Sequence, residues 1–113
     1  MSSRDWRLRI RDILCAIEEI QTFIVGMDYE TFEQNSIVVK AVLYNLVILG
    51  EATRGIPLEI QQQSSSLLWR LMTGMRNIVA HEYFQVDVRR VWDTALNDLP
   101  ELVEPLKVLL ESS

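Results

Sequence analysis

The run from Ile37 to Gly50 is apolar almost all round, broken only by Lys40 and Asn45. A helix apolar on every side has to be covered on every side. At 14 residues the run falls short of the roughly 20 that cross a bilayer. Its β-branched residues would also suit a strand, but its length and the absence of turn signals favour a helix. Gly55 and Pro57 stop it. The chain is therefore expected to wrap other elements around a buried helix.

The flanking segments have the pattern such elements need. Trp6, Ile10, Ile13, Leu14, Ile17, Ile20 and Ile24 follow the 3.6-residue period of an amphipathic helix over residues 4–25. Arg4, Arg7 and Arg11 form another stripe of that helix, three and four apart. Gly26 is placed to end it in a left-handed cap. Thr31 with Gln34 has capping-box spacing and predicts a helix beginning near Phe32. The polar piece Gln61 to Ser66 supplies N-caps for a helix from about Leu67 to Tyr83. Asp87 caps a segment with Val88, Val91, Trp92, Ala95, Leu96 and Leu99 at helical intervals, and Leu102 to Leu110 is apolar at similar spacing. Pro100 and Pro105 fit first-turn or kink positions. No strand, repeat or long linker is expected. The predicted fold is all-α, a bundle of about five helices, with residues 1–113 as a single domain.

Charge and rare residues narrow the function. A net charge of -5 argues against a protein that coats nucleic acid generally, though not against a local basic site. Nine of the 11 cations are arginines, the side chain suited to forked contacts with phosphate; Lys40 and Lys107 are the lysines. Most arginines are expected to be solvated or paired with the 16 acids. One cysteine and one histidine exclude an internal disulfide and a zinc site built from Cys and His of one chain. The opening Met-Ser-Ser-Arg-Asp-Trp-Arg carries an acid and no apolar run, so no signal peptide is expected. A cytoplasmic location, away from membranes, is the default expectation.

The segment Met75 to Phe84 concentrates the polar chemistry. Arg76, Asn77, His81 and Tyr83 fall within eight residues of an otherwise apolar helix. Asn77 and His81 are i,i+4 neighbours on a regular helix, so the amide can orient the imidazole. Arg76 and Tyr83, seven apart, share another face. Arg76 and His81 differ by about 140° at about 100° per residue, so both can border one cleft. By spacing alone, a lone histidine near a helix end is more often a cap or a satisfied polar group than a catalyst.

Other sites fit less well. A di-iron bundle needs Glu three residues before His, where this chain has Ile78. No glycine-rich phosphate loop is present. Ser64 to Ser66 reads as a cap, lacking a nucleophile elbow. Glu51 reads as a helix-end carboxylate paired with Arg54 at i+3 rather than a site acid.

The stretch Arg76-Asn77-x-x-x-His81-x-Tyr83 resembles the Arg-(polar)-x-x-x-His signature of HEPN domains, in the Arg-x-x-x-x-His-x-Tyr form of HepT-like toxins. The likeness extends to Leu49-Gly50-Glu51-Ala52, Ile56-Pro57, Trp69, Gly74-Met75-Arg76-Asn77 and Tyr83-Phe84-x-Val86-Asp87. It implies a five-helix HEPN-type bundle and a metal-independent endoribonuclease, the toxin of a type VII-like toxin–antitoxin pair. It further implies an antitoxin that is a minimal nucleotidyltransferase, transferring AMP from ATP to Tyr83. Arg76 and His81 carry over as catalytic, Asn77 as the supporting polar residue, and Tyr83 as the modification site. No cofactor is implied.

The chemistry agrees with that resemblance. RNA is cut without metal when its own 2′-hydroxyl attacks the adjacent phosphorus, a step wanting a base, an acid and positive charge for the phosphorane. His81 titrates in the right range, near pKa ~6.5 when unperturbed. Arg76 supplies permanent charge and paired hydrogen bonds. Because one chain has one histidine, an isologous C2 homodimer would bring two Arg76 and two His81 to one cleft. A higher hetero-oligomer with the antitoxin is compatible with this. The alternative is a non-catalytic HEPN module that binds a nucleotide or partners a nucleotidyltransferase.

Overall fold

A computed structural model describes residues 5–65, 67, 69–80 and 87–112. Helix α1 (Trp6–Ile24) starts where the Asp5 carboxylate accepts the Arg7 N–H at 2.9 Å. It buries Ile10, Ile13, Ala16, Ile17, Ile20 and Ile24, the stripe read from the sequence, while Trp6 and Leu14 pack at its margin. Gly26, at φ 78°, turns the chain in the left-handed region expected of it.

Helix α2 (Tyr29–Gln34) begins three residues earlier than the Thr31–Gln34 capping box predicts. Asp28 is the cap: its carboxylate accepts the Thr31 N–H at 2.8 Å, so Thr31 lies in the first turn instead of leading it. A carboxylate competes well for an N-cap and also faces the positive end of the helix.

Helix α3 (Ser36–Arg54) is the buried run, extended by four residues to Arg54, with Gly55 as its C-cap and Asn35 as its N-cap, whose side chain accepts the Val38 N–H. It lies between α1 and helix α5 (Trp69–Ala80). Its inward face, Val39, Val42, Leu46 and Leu49, is closed to solvent, and Met72 and Met75 of α5 meet the same core. The burial is one-sided, however: Ile37 and Tyr44 are 80% and 68% exposed. The sequence pattern predicts burial all round; the flanking helices cover only the inner half.

Between α3 and α5 the chain forms a short helix, α4 (Leu58–Gln62), where the sequence reading placed only turn and capping residues. The Trp69 indole N–H closes this corner by donating to the Gln61 and Ser64 carbonyls at 3.1 and 3.0 Å.

Helix α6 (Val88–Asp93) is capped by Asp87, as read from the sequence, and buries Val91 and Trp92. It passes through a π-helical turn, Thr94–Asp98, into α7 (Leu99–Glu111). Pro100 falls in the first turn of α7, directly after the π-helical turn, and Pro105 inside the helix, so both lie at the first-turn or kink positions expected of them. The wide turn redirects the apolar stripe. Helix α6 faces α2 and α3, whereas α7 lies along α1 with Leu99, Leu102, Leu106 and Leu109 buried. Leu96, expected on that stripe, is 49% exposed. Among the described residues every element is helical, as predicted for an all-α bundle.

Candidate functional site

Arg76 and Asn77 lie in the C-terminal half of α5, which is helical as far as Ala80. His81 and Tyr83, the other two candidate residues, fall in 81–86 and lie outside the described residues. The fold fixes both ends of that segment. Upstream, Met72 and Met75 are 0% and 1% exposed, so the turn that delivers Arg76 is anchored in the core. Downstream, the chain re-enters at Asp87, whose carboxylate accepts the Arg90 N–H at 3.1 Å and starts α6.

An aromatic cluster holds α6 in place. Trp92 packs against Phe32 with ring centroids 5.0 Å apart and meets Tyr29 edge-on at 6.3 Å. The Arg89 guanidinium lies 4.6 Å over the Tyr29 ring and pairs with Asp93 at 3.4 Å. Desolvation raises the Tyr29 phenol above its ordinary pKa of 10.0, and the nearby Glu33 carboxylate, 3.3 Å from the hydroxyl, adds to the effect. Tyr29 thus stays protonated and donates to Glu33. The i,i+4 spacing of Arg89 and Asp93 was the sequence signal for this anchor; the role of Tyr29 had none.

A cavity of about 390 Å³ lies between α5 and the start of α6. Leu71 and Met75 line it from α5; Asp87, Arg89, Arg90, Asp93, Thr94 and Asp98 line it from the other side. Three carboxylates against two guanidiniums make this second wall net acidic, and one of its arginines is already paired with Asp93. Phosphate would find little attraction there. Glu51, considered as a site acid, pairs with Arg54 at 3.8 Å, with both side chains about half exposed. Among the described residues no group of three or more His, Cys, Asp or Glu is arranged to hold a metal ion.

The family model described as "Ribonuclease HepT-like" matches residues 13–109, which include the whole Arg76–Tyr83 pattern. The chain is 33% identical over 111 residues to the Methanocaldococcus jannaschii protein named "Putative RNase MJ0125", covering 98% of this chain and 96% of that one. It is 38% identical over 93 residues to "Probable ribonuclease HepT" of Thermococcus cleftensis, covering 82% and 84% respectively. No solved structure gives a significant match.

Proposed function

The chain belongs to the HepT-like ribonuclease family, and from that membership we propose that it is a metal-independent endoribonuclease, the toxin of a type VII-like toxin–antitoxin pair. RNA is the substrate that the family implies. The observation that carries the reading is the Arg76-Asn77-x-x-x-His81-x-Tyr83 pattern, complete within the matched residues and starting on a helix anchored by Met72 and Met75.

In the proposed reaction the RNA 2′-hydroxyl forms a bond to the adjacent phosphorus while the bond to the 5′-oxygen breaks. One His81 removes the 2′-hydroxyl proton; the second, from the partner protomer, protonates the departing oxygen. Arg76 stabilises the phosphorane charge, and Asn77 orients the imidazole. The products carry a 2′,3′-cyclic phosphate and a 5′-hydroxyl. Neutralisation follows when a nucleotidyltransferase antitoxin joins AMP to the Tyr83 oxygen and releases pyrophosphate from ATP. The added phosphate then competes with RNA for Arg76.

The net acidic wall of Asp87, Asp93 and Asp98, across the cavity from Leu71 and Met75, favours a second reading, a HEPN module that partners a nucleotidyltransferase without cleaving RNA. The deciding experiment is a cleavage assay on purified protein in EDTA. Cleavage with cyclic-phosphate ends supports the ribonuclease; intact RNA, with the transferase still bound, supports the second reading.

A further inference from the structure

The corner between α4 and α5 opens a groove of about 540 Å³, lined by Gln61, Trp69, Arg70, Thr73 and Gly74. Three of these residues offer more than the fold uses. Trp69 is half-buried, its indole N–H tied to the Gln61 and Ser64 carbonyls. The Gln61 amide is held in turn, donating to the Ile56 carbonyl at 3.0 Å. The ring is therefore fixed in orientation, and among the described residues no other ring or guanidinium packs over it. Beside it Arg70 is exposed and makes no ion pair among the described residues. Gly74 is the third. It sits inside the helix without a positive φ, where glycine is less stable than alanine. Beyond its own helix backbone and chain neighbours, no described atom lies within 4 Å of the place its Cβ would take. The bundle supplies no reason for the missing side chain; a ligand pressed onto the helix backbone would.

We propose that this groove is a subsite for single-stranded RNA: a base stacks on Trp69, its phosphate is held by Arg70, and the strand lies against the backbone at Gly74. The assignment rests on the ribonuclease reading and adds to it a place, outside the Arg76–Tyr83 pattern, where the substrate is gripped. Register connects the two. On a regular helix Arg70, Thr73, Gly74 and Asn77 stand at i, i+3, i+4 and i+7, a single stripe of α5. Arg70 and Asn77 are about 10 Å apart along the axis, close enough for one short strand to occupy both. The chemistry selects this occupant. A fixed aromatic face accepts any base, and a guanidinium matches phosphate, so the strand is held without its sequence being read. Paired RNA keeps its base faces inside the stack and is excluded. The cavity on the neighbouring face of α5, with its three carboxylates against two guanidiniums, turns phosphate away, which leaves this groove as the favourable path.

The test is fluorescence anisotropy of a labelled single-stranded RNA of random sequence, titrated with the full chain. The RNA is fully 2′-O-methylated, so its own 2′-oxygen cannot cut it. Trp69→Leu and Trp69→Phe lose the same indole bonds, but only the second keeps a ring. Trp69→Leu should weaken binding on the order of tenfold, and Trp69→Phe much less. Arg70→Ala should weaken binding and reduce the slope of log affinity against log salt by about 0.7, the share of one phosphate contact on a single strand. Gly74→Ala should bind more weakly yet melt at a higher temperature, a pair of signs that a folding defect cannot produce. Equal losses in the two Trp69 variants, an unchanged salt slope in Arg70→Ala, or normal binding by Gly74→Ala would each overturn the subsite. A Gly74→Ala that alters only sedimentation would give the groove to a protein partner and overturn it too. Failure of the ribonuclease reading looks different: the methylated strand is bound through Trp69 and Arg70, while unmethylated RNA is left intact.

Discussion

The Arg9 side chain of α1 lies against Gly55 at the end of α3, in the space that a Cβ on residue 55 would fill. Arg9 Nε is buried there and, among the described residues, has no hydrogen-bond partner. The contact has an electrostatic reason: a guanidinium at the C-terminal end of α3 meets the negative end of the helix dipole. It also explains the glycine, since Gly55 has φ −87°, an angle open to any residue. Gly55→Ala should therefore destabilise by overpacking, about 1–3 kcal/mol. In an Arg9→Ala background the same change should cost far less. Urea unfolding of the four proteins of this cycle measures the coupling.

Arg76→Ala and His81→Ala should each abolish RNA cleavage while helicity and thermal unfolding stay close to wild type. Cleavage by the unaltered protein should persist in EDTA and leave 2′,3′-cyclic phosphate and 5′-hydroxyl ends. Products with 3′-hydroxyl ends would contradict attack by the 2′-oxygen.

Tyr83→Phe should fold and keep cleavage activity, yet resist silencing when incubated with the nucleotidyltransferase and ATP. Mass spectrometry of the wild-type peptide containing Tyr83 should show increments of one AMP. An equal gain in Tyr83→Phe would move the modification to another residue.

The Asp28 cap gives stability a defined pH dependence. Its carboxyl is held below the ordinary value of 3.8, first by the bond from the Thr31 N–H and then by the Thr31 hydroxyl. A depressed pKa in the folded state means that the cap stabilises above the unfolded value and that this is lost as pH falls through the folded one. Asp28→Asn keeps a capping oxygen without a titrating group. Its melting temperature should fall less than that of wild type between pH 5 and 2; parallel curves would assign the acid sensitivity elsewhere.

The parts of the fold written in local spacing were legible in the sequence. The α1 stripe, the Gly26 turn and the Asp87 cap all depend on residues within a few positions of one another. The capping-box spacing of Thr31 and Gln34 misplaced the start of α2, because Asp28, three residues earlier, is the residue that caps it. Features created by packing left no local trace. The π-helical turn at Thr94–Asp98 and the exposure of Ile37 and Tyr44 follow from which neighbours the helices meet. Helix α4 is too short for a periodic pattern and begins at Pro57 without a side-chain cap. Of the site, the spacing rightly put Arg76 and Asn77 on a helix; the cavity lined by Leu71 and Met75 of that helix is closed by residues of α6 and the turn after it, where Trp92 meets Phe32, and no local spacing signals that approach.

Helix α3 places two polar side chains in the interior, and each bonds to its own helix: Asn45 Nδ2 donates to the Ala41 carbonyl at 3.0 Å, and Thr53 Oγ1 to the Leu49 carbonyl at 2.8 Å. Neither bond depends on a neighbouring helix. Toward α1, apart from the Arg9 guanidinium at its C-terminal end, the described face of the helix is hydrocarbon, so its rotation and depth along that contact are selected mainly by shape. Thr53→Val would then leave no abandoned partner, because the Leu49 carbonyl keeps the backbone bond from Thr53's own position. Sequences that drift in these helices are free to exchange such hydroxyls for methyls, while every change of volume is felt at once.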